Sequence, residues 1–124
     1  MDERTVYEQL GGAETIRRLV DAFYPRVQAD PVIGKLFPED ITPVMEKQYA
    51  FLTQFFGGPP LYNQQYGHPM LRARHMPFPI GAKEATAWLN CMKAALDEIG
   101  LPEPVREQVW QRLAYTAGHM MNKQ

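Results

Sequence analysis

Four separate stretches of this chain repeat their apolar residues every three or four positions, and none alternates them convincingly. That spacing lines one face of a helix, so the chain has material for helices and none for a sheet. Over residues 14–29 the stripe is Ile16, Leu19, Val20, Phe23 and Val27. The second stretch starts near Thr42, a suitable N-cap, with Pro43 suited to the first helical position. Its stripe is Val44, Gln48, Phe51, Leu52 and Phe55. Residues 82–99 turn Ala85, Trp88, Leu89, Met92, Leu96 and Ile99 inward, with Gly100 as the stop and Pro102 beyond. Residues 104–121 do the same with Val105, Val109, Leu113 and Met120. A short helix over residues 5–10, ended by Gly11 and Gly12, comes before them. Short connections between four main helices predict an all-α fold. A length of 124 residues suits one core, hence a single domain over 1–124.

Bulk properties narrow the function. A net charge of -1 with no basic run argues against nucleic acid or an anionic membrane as partner. Nothing approaches the ~18 consecutive apolar residues of a membrane span. The single cysteine, Cys91, allows no internal disulfide, and the first seven residues do not read as a secretion signal. A cytoplasmic location is the expectation. Cys91 has no histidine or basic cluster beside it to activate a thiolate, so it reads as packing.

One region departs from the helical pattern. Residues 57–81 hold five of the 11 prolines and four of the 9 glycines, together with Tyr62, Tyr66, His68 and His75. Irregular stretches of this length are uncommon in compact domains and are often functional. Within it, residues 69–75 have room for about two helical turns before Pro77 stops them. His75 ends that segment, and Leu71, four residues earlier, shares its face. Imidazole is a common metal ligand and the one that haem iron takes in globins. A surface or capping histidine fits the same spacing, and His68 and His119 compete for the role.

Gln48 lies in the middle of an apolar stripe, where an amide is unfavourable unless hydrogen-bonded. Tyr24 lies on or near the inward face of the first long helix and Trp88 on that of the third. Each alone reads as a core side chain. Together they place three hydrogen-bonding groups on three apolar faces, which would suit a small polar ligand. Arg74, Lys47 and Tyr62 read as solvated surface unless haem is present, when they become donors to its two propionates.

The set resembles the truncated haemoglobins of group II. The pieces are Tyr7 to Gly12 (YEQLGG), Phe23-Tyr24, Phe37-Pro38, Lys47-Gln48, Phe51-Leu52, Phe55 to Pro59 (FFGGP), Gly67 to His75 (GHPMLRARH), Ala87 to Met92 (AWLNCM) and Thr116 to Asn122. The resemblance implies a two-over-two helical sandwich around haem b, with His75 as the iron's protein ligand and Arg74 facing a propionate. It implies that Tyr24, Gln48 and Trp88 are the distal polar trio, that Phe37 packs on the haem face and that Val44 stands at the pocket's gate. Leu71, Phe51, Lys47 and Tyr62 complete the expected haem surroundings. Pro25, directly after Tyr24, departs from the pattern: it is expected to kink the first long helix and disturb the aim of the Tyr24 hydroxyl.

The implied function is binding of dioxygen and other diatomic gases (nitric oxide, carbon monoxide) at ferrous haem. Several donors aimed at the partial negative charge on dioxygen mean slow release, which suits scavenging or redox chemistry better than bulk oxygen transport. The alternative is a haem-dependent redox enzyme, a nitric oxide dioxygenase or a peroxidase-like activity, which needs a reductase in trans. A haem-free helical interaction module is the third reading. A monomer or weak homodimer is expected.

Overall fold

The computed structural model of the protein describes residues 4–70, 73 and 75–122. Among them there is no strand. The helices are α1 (Val6–Leu10), α2 (Gly12–Ala29), α3 (Thr42–Phe55), α4 (Leu61–Tyr66), α5 (Ala82–Ile99) and α6 (Val105–Met120), with a 3₁₀ turn at Gly34–Leu36. The four long stretches read from periodicity are the four long helices. α2 packs on α3 and across on α5, α5 packs on α6, and α1 touches α2 and α6. The core between the two pairs is built from the predicted stripes: Ile16, Val20, Phe23 and Val27 of α2, Leu52 of α3, Met92 and Leu96 of α5, and Val109 of α6 are almost wholly buried. Cys91 is buried among them, as packing.

Local chemistry fixes the helix ends. Thr5 caps α1 through a reciprocal box: the Glu8 amide donates to Thr5 Oγ1 at 3.1 Å, and the Thr5 amide donates to Glu8 Oε1 at 3.1 Å. Gly11 ends α1 with φ 113°, a left-handed angle that side chains resist, and α2 begins at once with Gly12. The second double glycine meets the first region in space. The Tyr7 amide donates to the Phe56 carbonyl at 2.8 Å, and a Cβ on Gly58 would lie 2.9 Å from the Tyr7 ring. The YEQLGG and FFGGP motifs are thus two sides of one contact.

Two features differ from expectation. Thr42 is the first residue of α3, not its cap, which is Ile41; Asp40 Oδ1 accepts from the Thr42 amide at 3.1 Å. α4 lies inside the stretch read as irregular. α2 runs through Pro25 to Ala29, as the periodicity predicts. Pro25 and Asp21, whose carbonyl loses its helical donor, are both exposed, so the missing bond falls on the face where water replaces it.

Candidate functional site

The two helix pairs do not close completely on each other. Between them lies a cavity of about 330 Å³ to which every long helix contributes, in the size range of ligand and cofactor pockets. α3 gives Val44, Gln48, Phe51, Leu52 and Phe55, the whole of its predicted stripe. The connection after α2 gives Ile33, Leu36, Phe37 and Pro38, and α6 gives Leu113, Ala117 and Met120. The walls are therefore overwhelmingly hydrocarbon and aromatic, a surface that folding leaves uncovered at a cost of roughly 25 cal/mol per Å². Such a slot needs an apolar occupant.

Against this background the polar residues stand out. Tyr24 from α2, Gln48 from α3 and Trp88 from α5 all line the cavity. The rings are held by packing. Tyr24 stands edge-on to Phe23 at 4.8 Å and to Phe37 at 6.2 Å, and Trp88 is edge-on to Phe23 at 5.2 Å. None of the three side chains hydrogen-bonds to another described residue. Yet no buried side-chain nitrogen or oxygen among the described residues lacks a partner, so the polar ends of the three open onto the cavity. Burial, with no charged neighbour, pushes the Tyr24 pKa up, so its hydroxyl stays protonated as a donor.

Of the three histidines only His75 lines the cavity. It sits on helical backbone ahead of a turn at Met76-Pro77. His68 is engaged elsewhere: its Nδ1 accepts from the Met70 amide at 3.1 Å, steadying a left-handed Met70 with φ 47°. His119 is exposed and lies edge-on to Tyr115 at 4.5 Å. One imidazole in an apolar slot is the donor set that haem requires, because the porphyrin supplies the other four nitrogens. The cavity thus fits haem by its mostly apolar lining, its single imidazole and three donors that bond to no other described residue.

The other expected haem neighbours divide. Phe37, Val44 and Phe51 line the cavity. Tyr62 and Lys47 do not. Tyr62 is buried behind the cavity wall, edge-on to Phe51 at 6.1 Å, and Lys47 is exposed with its Nζ 5.5 Å from the centre of the Tyr66 ring. Leu71 and Arg74 lie outside the described residues. Sequence reading missed Phe78, Ile80, Ile33, Leu36, Glu84, Thr116 and Ala117 as lining residues. The first two sit on irregular backbone without periodicity, and the last two adjoin the Met120 end of a stripe that was read only as core.

The model of the bacterial-like globin family matches residues 5–122. The chain is 52% identical over 117 residues, 94% of its length, to the group 2 truncated hemoglobin YjbI of Bacillus subtilis, 88% of which is covered. The chain belongs to the truncated haemoglobins of group II. Its backbone superposes on the group II truncated hemoglobin of Bacillus anthracis with a TM-score of 0.96 at 49% identity, covering 99% of this chain and 95% of that one. It superposes on the truncated oxygen-avid haemoglobin of Bacillus subtilis with a TM-score of 0.93 at 51% identity, covering 96% of this chain and all of that one. Membership of the globins implies a haem-iron cofactor, and the two pairs α2/α3 and α5/α6 form the two-over-two fold of this truncated haemoglobin.

Proposed function

We propose that this truncated haemoglobin carries haem b in the cavity between its helix pairs, with His75 as the residue that would hold the iron, and binds dioxygen with slow release. The observation that carries the reading is the meeting of one histidine with three hydrogen-bonding side chains, none bonded to another described residue, in a mostly apolar slot. Haem, when bound, supplies a ferrous iron with a free coordination position for a diatomic gas. The chain's own part is to hold the cofactor and to act on the gas. The Trp88 indole only donates, while Tyr24 and Gln48 donate or accept. Donors fixed by ring packing and aimed into a water-poor cavity favour a ligand that draws negative charge onto itself. Dioxygen is such a ligand, and carbon monoxide is much less so. The similarity to an oxygen-avid relative supports the same conclusion.

Val44, a small apolar residue at the cavity wall, leaves entry for a gas unobstructed. Lys47, exposed one position from Gln48, and Arg74, one position before His75, are the cations we assign to the propionates at the cavity's wet edge. Tyr62 supports Phe51 from behind. Absorbance spectra of the purified protein, oxidised, reduced and with oxygen, test the cofactor and its axial ligand. Stopped-flow displacement of oxygen by carbon monoxide tests the slow release. A colourless protein that takes up no added haem would overturn the proposal, and so would fast oxygen loss from a haem-loaded one.

A further inference from the structure

The segment that follows His75 has few backbone donors of its own. Residues 76–80 read Met-Pro-Phe-Pro-Ile, and the two prolines have no amide hydrogen to donate. The segment closes one turn on itself, the Phe78 amide donating to the His75 carbonyl at 3.0 Å. The Met76 amide donates to the Ala73 carbonyl at 3.3 Å, and four further links among the described residues come from one residue beyond the end of α6. Asn122 Nδ2 donates to the His75 carbonyl at 3.1 Å and to the Phe78 carbonyl at 2.8 Å. Asn122 Oδ1 accepts from the Ile80 amide at 2.9 Å, and the Asn122 amide donates to the Ile80 carbonyl at 2.7 Å. Four hydrogen bonds from a single residue thus span the loop. Both ends of that loop, His75 and Ile80, face the cavity, as does Phe78.

We infer that Asn122 is the positioning residue for His75: it clamps the loop to α6 and fixes the peptide from which the imidazole projects. The inference rests on the reading of His75 as the iron ligand. Backbone amides alone do not do this work, because the three links to His75, Phe78 and the Ile80 amide use the asparagine side chain. Only a primary amide offers two donors and an acceptor at that reach. Groups that orient a ligating histidine typically change metal affinity ten- to 100-fold when lost.

The test compares wild type with Asn122→Ala, which removes all three side-chain links, and Asn122→Asp, which keeps the acceptor for Ile80 and loses both donors. Asn122→Ser, too short to span the loop, replaces the alanine variant if that does not fold. Arg106→Ala, which opens a half-buried ion pair with Asp97 away from the cavity, controls for general loss of stability. The readouts are haem transfer to an apo-acceptor and the iron–histidine stretching band of the ferrous protein in resonance Raman. Haem loss about ten-fold faster with a shifted or broadened band in the Asn122 variants, and neither change in Arg106→Ala, is the expected result. Wild-type haem loss and band position in variants that melt at lower temperature would overturn it, leaving Asn122 a structural clamp only. A wild-type protein that retains no haem would instead overturn the reading of the cavity, which separates the two failures.

Discussion

The Tyr24 ring meets the Phe37 ring edge-on, with centroids 6.2 Å apart and planes at 79°. Phe23, on the same helix, holds Tyr24 from a second side at 4.8 Å and 82°. Two aromatic contacts of this kind contribute about 0.5–1.5 kcal/mol each beyond their buried area. They aim a hydroxyl that has no hydrogen-bonding partner among the described residues. The ring is thus held from two sides, while the neighbouring Pro25 lies on the exposed face of the helix.

Tyr24 and Gln48 should act on the gas as a coupled pair. They reach the cavity from different helices, and the Gln48 amide has both an acceptor and donors to offer the hydroxyl. We expect Tyr24→Phe and Gln48→Leu each to change oxygen release. The double variant should depart from the sum by more than ~0.5 kcal/mol, the scatter of independent sites. Stopped-flow displacement on the four proteins of the cycle measures this. Additive effects, or a silent Tyr24→Phe, would refute the coupling.

Trp88→Phe should speed oxygen release. The edge-on contact with Phe23 is largely kept, and one donor is lost. A hydrogen bond to a charged group contributes about 1.5–3 kcal/mol, or roughly ten- to 150-fold in rate. Carbon monoxide release should change far less. Equal changes for both gases would make Trp88 a steric gate.

His75→Ala should abolish stable haem retention, and His68→Ala should leave the spectrum of the purified protein intact. The difference follows from position: His75 lines the cavity, whereas His68 spends its Nδ1 on the Met70 amide. Reversed outcomes in absorbance spectra of the two variants would move the ligand to His68.

The long helices were legible because each buries one continuous face, which writes a period of three to four into the sequence. α4 was not. Its six residues follow two prolines, and its stability is tertiary: Gln54 on α3 donates to Asn63 Oδ1 and accepts from the Asn63 amide, both at 3.0 Å. A short helix held by a side chain from another helix leaves no periodic trace. The site divides in the same way. Gln48 showed as a polar interruption of an apolar face and Trp88 as an aromatic on one, and both line the cavity with Tyr24. Phe78 and Ile80 lie on irregular backbone, where nothing in the sequence says which way a side chain turns. Lys47 adjoins Gln48 in sequence, but a helix turns neighbours about 100° apart, and it points to solvent.

Tyr24 should also govern how the protein responds to alkali. Burial raises its folded-state pKa above the ordinary tyrosine value of 10.0. When the pH passes the ordinary value, the unfolded chain gives up this proton and the folded chain keeps it. The unfolded state then binds fewer protons, so unfolding becomes more favourable as pH rises. The contribution of Tyr24 is therefore fully present below about pH 10 and is lost progressively above it. The other tyrosines do not enter the comparison if only Tyr24 is changed. Tyr24→Phe keeps the ring and its contacts with Phe23 and Phe37 while removing the titrating proton. Melting temperatures of the haem-free proteins, followed from about pH 8 to about pH 11, should fall less steeply in the variant. The two curves should run parallel at the neutral end and diverge only at the alkaline end. Curves parallel throughout would mean that the hydroxyl titrates alike folded and unfolded. That would require water to reach it freely, and Tyr24 would then lose the dry setting on which its strength as a donor depends.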